Sequence, residues 1–208
     1  GEELISHCVI STYEYYEYKV LSERIGDRVK NIIPPTETNV IYENGKISNA
    51  DAMTKDYIYH PLIMQYVNDD KYTIILLENP PYDDSSSIRA YYDEEGNKHL
   101  TRNKESFVYT QMKDAKNTFR NSNISSVRDF ANRFIWSAFK YYLRQDTDSY
   151  IVFSPVKYFK SIGLIDKPHH RFESGFLFNR KHFHASPSAI SCVLWSYGKN
   201  NPPKDFVL

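Results

Sequence analysis

Glycine is scarce in this chain. There are seven in 208 residues, at positions 1, 26, 45, 96, 163, 175 and 198, and no two lie close together. The sequence therefore holds no Gly-rich loop of the kind whose backbone amides cradle a phosphate or cofactor. Cysteine is scarcer still. Cys8 and Cys192 each sit in an apolar run, which excludes a disulfide framework and predicts free, buried thiols in a reducing compartment. Charge of one sign is also missing: Lys plus Arg and Asp plus Glu are 26 each, for a net charge of zero. Binding to nucleic acid by bulk charge alone is disfavoured. No stretch nears the ~18 consecutive apolar residues of a membrane span. No basic-then-apolar leader opens the sequence, so the expected location is cytoplasmic.

What is present is an ordinary globular composition, 41% apolar and 25% charged, with an unusual 18 tyrosines. A chain of this length can bury about 70% of its unfolded surface, and one domain over residues 1–208 is expected. Apolar runs at 8–12, 73–77 and 150–153 read as buried strands. The Thr-Ile-Ile-Leu-Leu run at 73–77 reads as buried on both faces, as in a parallel sheet. Helices are expected over 14–25, stopped by Gly26, and over 55–68, with Pro61 early or breaking it. A short Val40–Tyr42 strand before Asn44-Gly45 signals a hairpin. The strongest helix spans 127–143, with Phe130, Phe134, Ile135, Ala138, Phe139 and Tyr142 on one face. A further helix follows Pro155. Strands at 174–179 and 189–197 close the chain. Residues 83–125 are polar and poorly patterned, an irregular insertion or mobile segment with a helix possible near 104–117. Alternating strands and helices predict an α/β fold with a mostly parallel sheet and an antiparallel C-terminal strand pair.

The sharpest chemical signal is Asn79-Pro80-Pro81-Tyr82. It follows an apolar strand, and ligands bind beyond the carboxyl ends of strands in open α/β sheets. Pro81 has no amide hydrogen, so the Pro80 carbonyl has no neighbouring donor. Asn79 offers a second carbonyl, and Tyr82 a flat face. Two acceptors and a ring suit a planar base carrying an amino group. The competing reading is a plain Pro-Pro turn that ends a strand.

Here the chain resembles a family. Ile-Leu-Leu-Glu-Asn-Pro-Pro-Tyr is similar to the catalytic motif of amino-group methyltransferases, above all the adenine-N6 DNA methyltransferases of restriction–modification systems. Ser-Asn-Ala-Asp-Ala at 48–52 resembles the family's cofactor-adenine segment, and Val-Ile-Ser-Thr-Tyr-Glu at 9–14 its second strand. The resemblance covers roughly residues 8–197. It implies a Rossmann-like fold dependent on S-adenosylmethionine, with Asn79, Pro80, Pro81 and Tyr82 catalytic. Glu14, Asp51 and Ala52 would bind the cofactor, with Glu17 a weaker candidate. Tyr82 and Phe183 would stack on the target base. Asp51 also reads as an acid at a helix N-terminus, and Glu14 as a solvated acid before a helix.

One departure stands out. The family's Gly-rich loop, which holds the methionine part of the cofactor, is missing; its expected place is just upstream of Gly1, as though the first strand were absent. An incomplete catalytic domain or a degenerate relative is implied. DNA is the expected partner, engaged through an additional domain or subunit, with a restriction or specificity partner possible and no membrane. RNA, a protein glutamine, or a non-catalytic assembly role remain as alternatives. No metal is expected: His182 and His184 flank Phe183 near His169-His170, but no Cys or acid joins them at ligand spacing. Lys113, Lys116, Arg120, Arg128 and Arg133, interleaved with Tyr109 and Phe119, form a stretch that can meet a phosphate backbone or simply face solvent.

Overall fold

A computed structural model describes residues 2–13, 15–29, 31–33, 50–80, 89–92, 98–101, 106–118, 127, 129–156, 169–183 and 187–198. The chain divides into two compact units, Gly1–Asp69 and Asp70–Leu208.

In the first unit, helix α1 (Glu2–Ser6) leads to strand β1 (Val9–Ser11), helix α2 (Tyr15–Ile25) and strand β2 (Asn31–Ile33). β1 and β2 pair in parallel, Ile10 opposite Ile32. Parallel neighbours need a crossover, and α2 supplies it. α2 ends one residue before Gly26, as expected. A Cβ at Gly26 would stand 2.3 Å from the Ser22 carbonyl oxygen, so only glycine fits that stop. Tyr16, in the first turn of α2, is 77% exposed. The helix expected over 55–68 is two short ones, α3 (Lys55–Ile58) and α4 (Pro61–Val67), broken at Pro61. The Thr54 hydroxyl caps α3 by accepting from the Tyr57 amide, and the His60 ring accepts from the Leu62 amide at the start of α4. β2 was not legible in the sequence. The Val40–Tyr42 strand and the Asn44-Gly45 turn lie outside the described residues.

The second unit is built on a four-stranded sheet of β3 (Ile75–Glu78), β6 (Ser149–Pro155), β7 (His170–Asn179) and β8 (Ala189–Tyr197), in the order β3-β6-β8-β7. β3 and β6 are parallel, with Leu76 opposite Tyr150 and Glu78 opposite Val152. β8 runs antiparallel to both β6 and β7. The fold is thus α/β with parallel strands and an antiparallel C-terminal pair. Within the tract expected to be irregular, β4 (Arg89–Tyr92) and β5 (Lys98–Thr101) form an antiparallel hairpin, and α5 spans Phe107–Thr118. The segment after Val156 in which a helix was expected lies outside the described residues.

Helix α6 (Phe130–Ser137) bridges the parallel pair β3 and β6, and its last turn widens into a π-helix, Ala138–Tyr142. Ile135 and Ala138 pack on Tyr150, Val152, Val193 and Trp195, with Leu76 and Phe139 at the margin. Phe139 meets the Tyr150 ring edge-on at 5.8 Å. The Asp129 carboxylate caps α6, accepting from the Ala131 amide at 3.0 Å. Asp129→Ala is expected to cost about 1 kcal/mol, the usual value of a lost N-cap, read as a shift in the urea unfolding midpoint.

The other face of the sheet is more open than the sequence predicts. Ile75 and Leu77 are 65% and 63% exposed, so β3 is not buried on both faces. It is the terminal strand of its sheet, and α6 covers the side of Leu76 and Glu78 only. Cys8 and Cys192 are both free and half-buried, not fully buried.

Candidate active site

β3 carries the chain to the candidate site. Its start is tied down by Asp148, whose buried carboxylate accepts from the Ile74 amide at 2.8 Å. Its end is Glu78, and Asn79 and Pro80 follow directly. Asn79 is exposed, whereas Pro80 is fully buried. Proline suits such burial because it has no amide hydrogen to leave without a partner. The sheet thus leads into a buried Pro80 and leaves Asn79 exposed, beyond the carboxyl end of a strand with a parallel neighbour. Pro81 and Tyr82 lie outside the described residues.

Glu78 was missed in the sequence. It shares the α6-covered face with Tyr150, whose hydroxyl donates to a Glu78 carboxylate oxygen at 2.6 Å. The two residues are 72 apart in sequence, so no local pattern reveals the pair; the only local sign is an acid ending an apolar run. Burial raises the Glu78 carboxyl to about 7, and the Tyr150 hydrogen bond opposes the rise. The folded protein therefore holds this proton more tightly than the unfolded chain. The resulting stabilisation is full below the ordinary carboxylate range and is lost as pH rises through 7. Glu78→Gln keeps an acceptor for Tyr150 but does not ionise. It is expected to be more stable than the parent at pH 8 by on the order of 2 kcal/mol, allowing for partial solvent screening, and to converge with it toward pH 5. Urea midpoints across that range check this.

The proposed cofactor residues belong to the first unit. Asp51 is half-buried, and its Oδ1 accepts from the Met53 amide at 2.9 Å. The carboxylate thus shapes the turn that Thr54 extends into α3, the local role that sequence also allowed. Ala52 lies in that turn, half-buried. The hydroxyls of Ser11, the last residue of β1, and Tyr57 on α3 are 2.7 Å apart. This bond brings the carboxyl end of β1 beside the segment containing Asp51 and Ala52, two stretches 46 residues apart where they join. Glu14 lies outside the described residues. Glu17, the weaker candidate, is exposed on α2.

Phe183 ends a 3₁₀ turn, Arg180–Phe183, between β7 and β8. His182 is exposed on this turn, and His184 lies outside the described residues. His170 is buried, stacked on Phe139 at 3.5 Å. Among the described residues no three His, Cys, Asp or Glu side chains gather to hold a metal.

The basic stretch is corrected at Arg133. This side chain is fully buried, its Nε donating to the Val127 carbonyl at 2.8 Å. Its guanidinium lies over the Tyr109 ring at 4.7 Å and the Phe130 ring at 4.9 Å. Burial lowers its pKa to about 10, which still leaves it charged at neutral pH. Arg133 joins α5 to α6 and cannot reach a phosphate. Lys113 on α5 is exposed, while Arg120, Arg128 and Phe119 lie outside the described residues. Comparison with family models, with curated proteins and with solved structures finds no match to this chain.

Proposed function

We propose that this chain is a methyltransferase-like catalytic segment that acts, with S-adenosylmethionine as donor, on the N6 amino group of adenine in DNA. The observation that carries the reading is the placement of Asn79-Pro80: Pro80 buried, Asn79 exposed, directly beyond the carboxyl end of a strand with a parallel neighbour. A strand-ending Pro-Pro turn accounts for the prolines but asks for neither Asn79 nor Tyr82, so the quartet as a set is better explained by chemistry.

The adenine amino nitrogen is a poor nucleophile because its lone pair is delocalised into the ring. The exposed Asn79 side-chain oxygen would accept one of its N–H bonds; the Pro80 carbonyl, which belongs to a fully buried residue, would accept the second once the arriving base uncovers it. That favours a pyramidal nitrogen with its lone pair directed at the incoming methyl group. The contribution is positioning and preorganised polarity, not proton transfer. The base must leave the duplex to reach such a site. Stacking on Tyr82, with Phe183 as a second surface, offsets part of the few kcal/mol of unstacking.

The cofactor, when bound, supplies an electrophilic methyl group. The turn at Asp51 and Ala52, drawn to the end of β1 by the Ser11–Tyr57 bond, suits its nucleoside end. Asp51 provides an acidic acceptor, and Glu14 would follow on the ribose. For the methionine end the family's Gly-rich loop has no counterpart among these 208 residues. A second reading is a methyltransferase-like module that assembles with other chains and does not catalyse. With zero net charge, affinity for DNA falls to another domain or a specificity or restriction subunit.

The test is incubation of the intact protein with S-adenosylmethionine bearing a labelled methyl group, offered separately to unmethylated genomic DNA, RNA and bulk protein. Label recovered as N6-methyladenine in DNA is expected. Label in RNA or in glutamine side chains would move the substrate class, and failure to bind the labelled cofactor would sink the enzymatic reading in favour of the assembly module.

A further inference from the structure

The mechanism above leaves one half-buried ionisable group unused at the end of β3. Glu78 is the residue immediately before Asn79, and its side chain lies on the α6-covered face of the sheet. Tyr150 is fully buried, and its ring is held edge-on by Phe139. It stands opposite Leu76 in the ladder, two residues before Glu78, so its phenol leans along the strand toward the carboxyl end. There its hydroxyl donates to Glu78 at 2.6 Å, within the normal range of an O–H···O bond. Among the described residues Tyr150 is the titratable side chain facing Glu78. The residues that β6, β8 and α6 add to the same face, Val152, Val193, Trp195, Ile135 and Phe139, carry no charge.

We propose that Glu78 is a positioning residue for the candidate site: in its ionised form it takes the Tyr150 hydroxyl and so fixes, against the core, the strand end that carries Asn79 and Pro80. This rests on the methyl-transfer reading. The physical reason is the difference between the two protonation states. A carboxylate accepts the phenol in a bond roughly twice as strong as a neutral one. A protonated carboxyl is a weaker acceptor and carries its own donor, which turns toward another acceptor and loosens the phenol. Asn79 and Pro80 continue the same backbone, and two acceptors aimed at one amino group tolerate little displacement; an error of ~1 Å is worth up to about a hundredfold in rate. Burial places this titration near neutrality, where the protein would work.

The experiment follows kcat and KM for labelled S-adenosylmethionine on unmethylated genomic DNA from pH 5.5 to 9, in the intact protein, in Glu78→Gln and in Tyr150→Phe. In the parent, kcat should rise through a limb near 7 while KM for the cofactor stays within about twofold. Glu78→Gln should lack that limb and fall about tenfold below the parent at pH 8, with an unchanged far-UV circular dichroism spectrum. Tyr150→Phe removes the hydrogen bond that lowers the Glu78 pKa, so its limb should move to higher pH. A merely structural role would move neither limb. A Glu78→Gln profile that superimposes on the parent's overturns the proposal. So does a ¹³C-carboxyl NMR titration, assigned by difference from Glu78→Gln, whose Glu78 midpoint is the same in Tyr150→Phe as in the parent, because the carboxylate then does not hold the phenol; this readout needs no activity. Undiminished transfer by an Asn79 variant would instead overturn the methyl-transfer reading and leave the carboxyl titration standing.

Discussion

Asn79→Ala is expected to lower methyl transfer by at least about a hundredfold, the scale of losing one preorganised polar group aimed at the reacting atoms. The same substitution should leave the fold nearly untouched. Asn79 is exposed and lies past the last residue of β3, so it fills no core volume. Exposed substitutions of this kind usually stay within about 0.5 kcal/mol. The separation of the two effects gives the test its force. Loss of transfer with unchanged unfolding assigns Asn79 to the chemistry, whereas loss of both would mark it as structural. Asn79→Asp keeps an oxygen acceptor at the same position and should retain more transfer than Asn79→Ala. Single-turnover measurement with labelled cofactor, paired with urea unfolding, provides both readouts. Undiminished transfer by Asn79→Ala would refute its role.

The sequence carried the second unit further than the first. β6 is legible as a continuous apolar run, Tyr150–Phe153, although within the strand only the alternate residues Tyr150, Val152 and Ser154 are buried. α6 is legible from its helical spacing, and Asn79-Pro80 from the inability of prolines to continue a ladder. β2 is described over three residues, Asn31–Ile33; a run so brief has no period to read. The β4–β5 hairpin is hidden among acids and polar residues that read as loop. The apolar run of β3 showed that a strand was there but not which layers cover it, since a run buried on two faces and a run on a terminal strand look alike. The same limit applies to Arg133. Helical spacing places it on α6, yet only the packing of α5 turns it inward to the Tyr109 ring. Glu78 with Tyr150, and Asp148 with Ile74, are pairs separated by 72 and 74 residues, and no local rule anticipates such partners.

Asp148 is where the largest loss of stability is expected. Its carboxylate is fully buried and accepts three backbone amides: Ile74 at 2.8 Å through Oδ1, and Arg144 at 2.8 Å and Gln145 at 3.1 Å through Oδ2. Its own amide donates to the Gln145 carbonyl at 2.8 Å, and its carbonyl accepts from Tyr197 at 3.0 Å. One residue thus joins the start of β3, the turn after α6, the start of β6 and the end of β8. Asp148→Ala would leave the amides of Ile74, Arg144 and Gln145 without their acceptor, and hydrogen bonds to charged groups are worth about 1.5–3 kcal/mol each. Relaxation and entering water recover part of this, so a net loss of about 4 kcal/mol is expected, at the severe end for a single substitution. Asp148→Asn keeps one acceptor oxygen but turns an NH₂ group toward amide hydrogens on the other side, and should cost about half as much. The order parent, Asn, Ala in urea midpoint at constant m-value is the expected result. Because Asp148 anchors the opposite end of β3 from Asn79, the Asn variant should also lose transfer before it loses fold. If Asp148→Asn unfolds at the parent's midpoint, the carboxylate does not hold β3 to β6, and the support proposed for the site fails at its base.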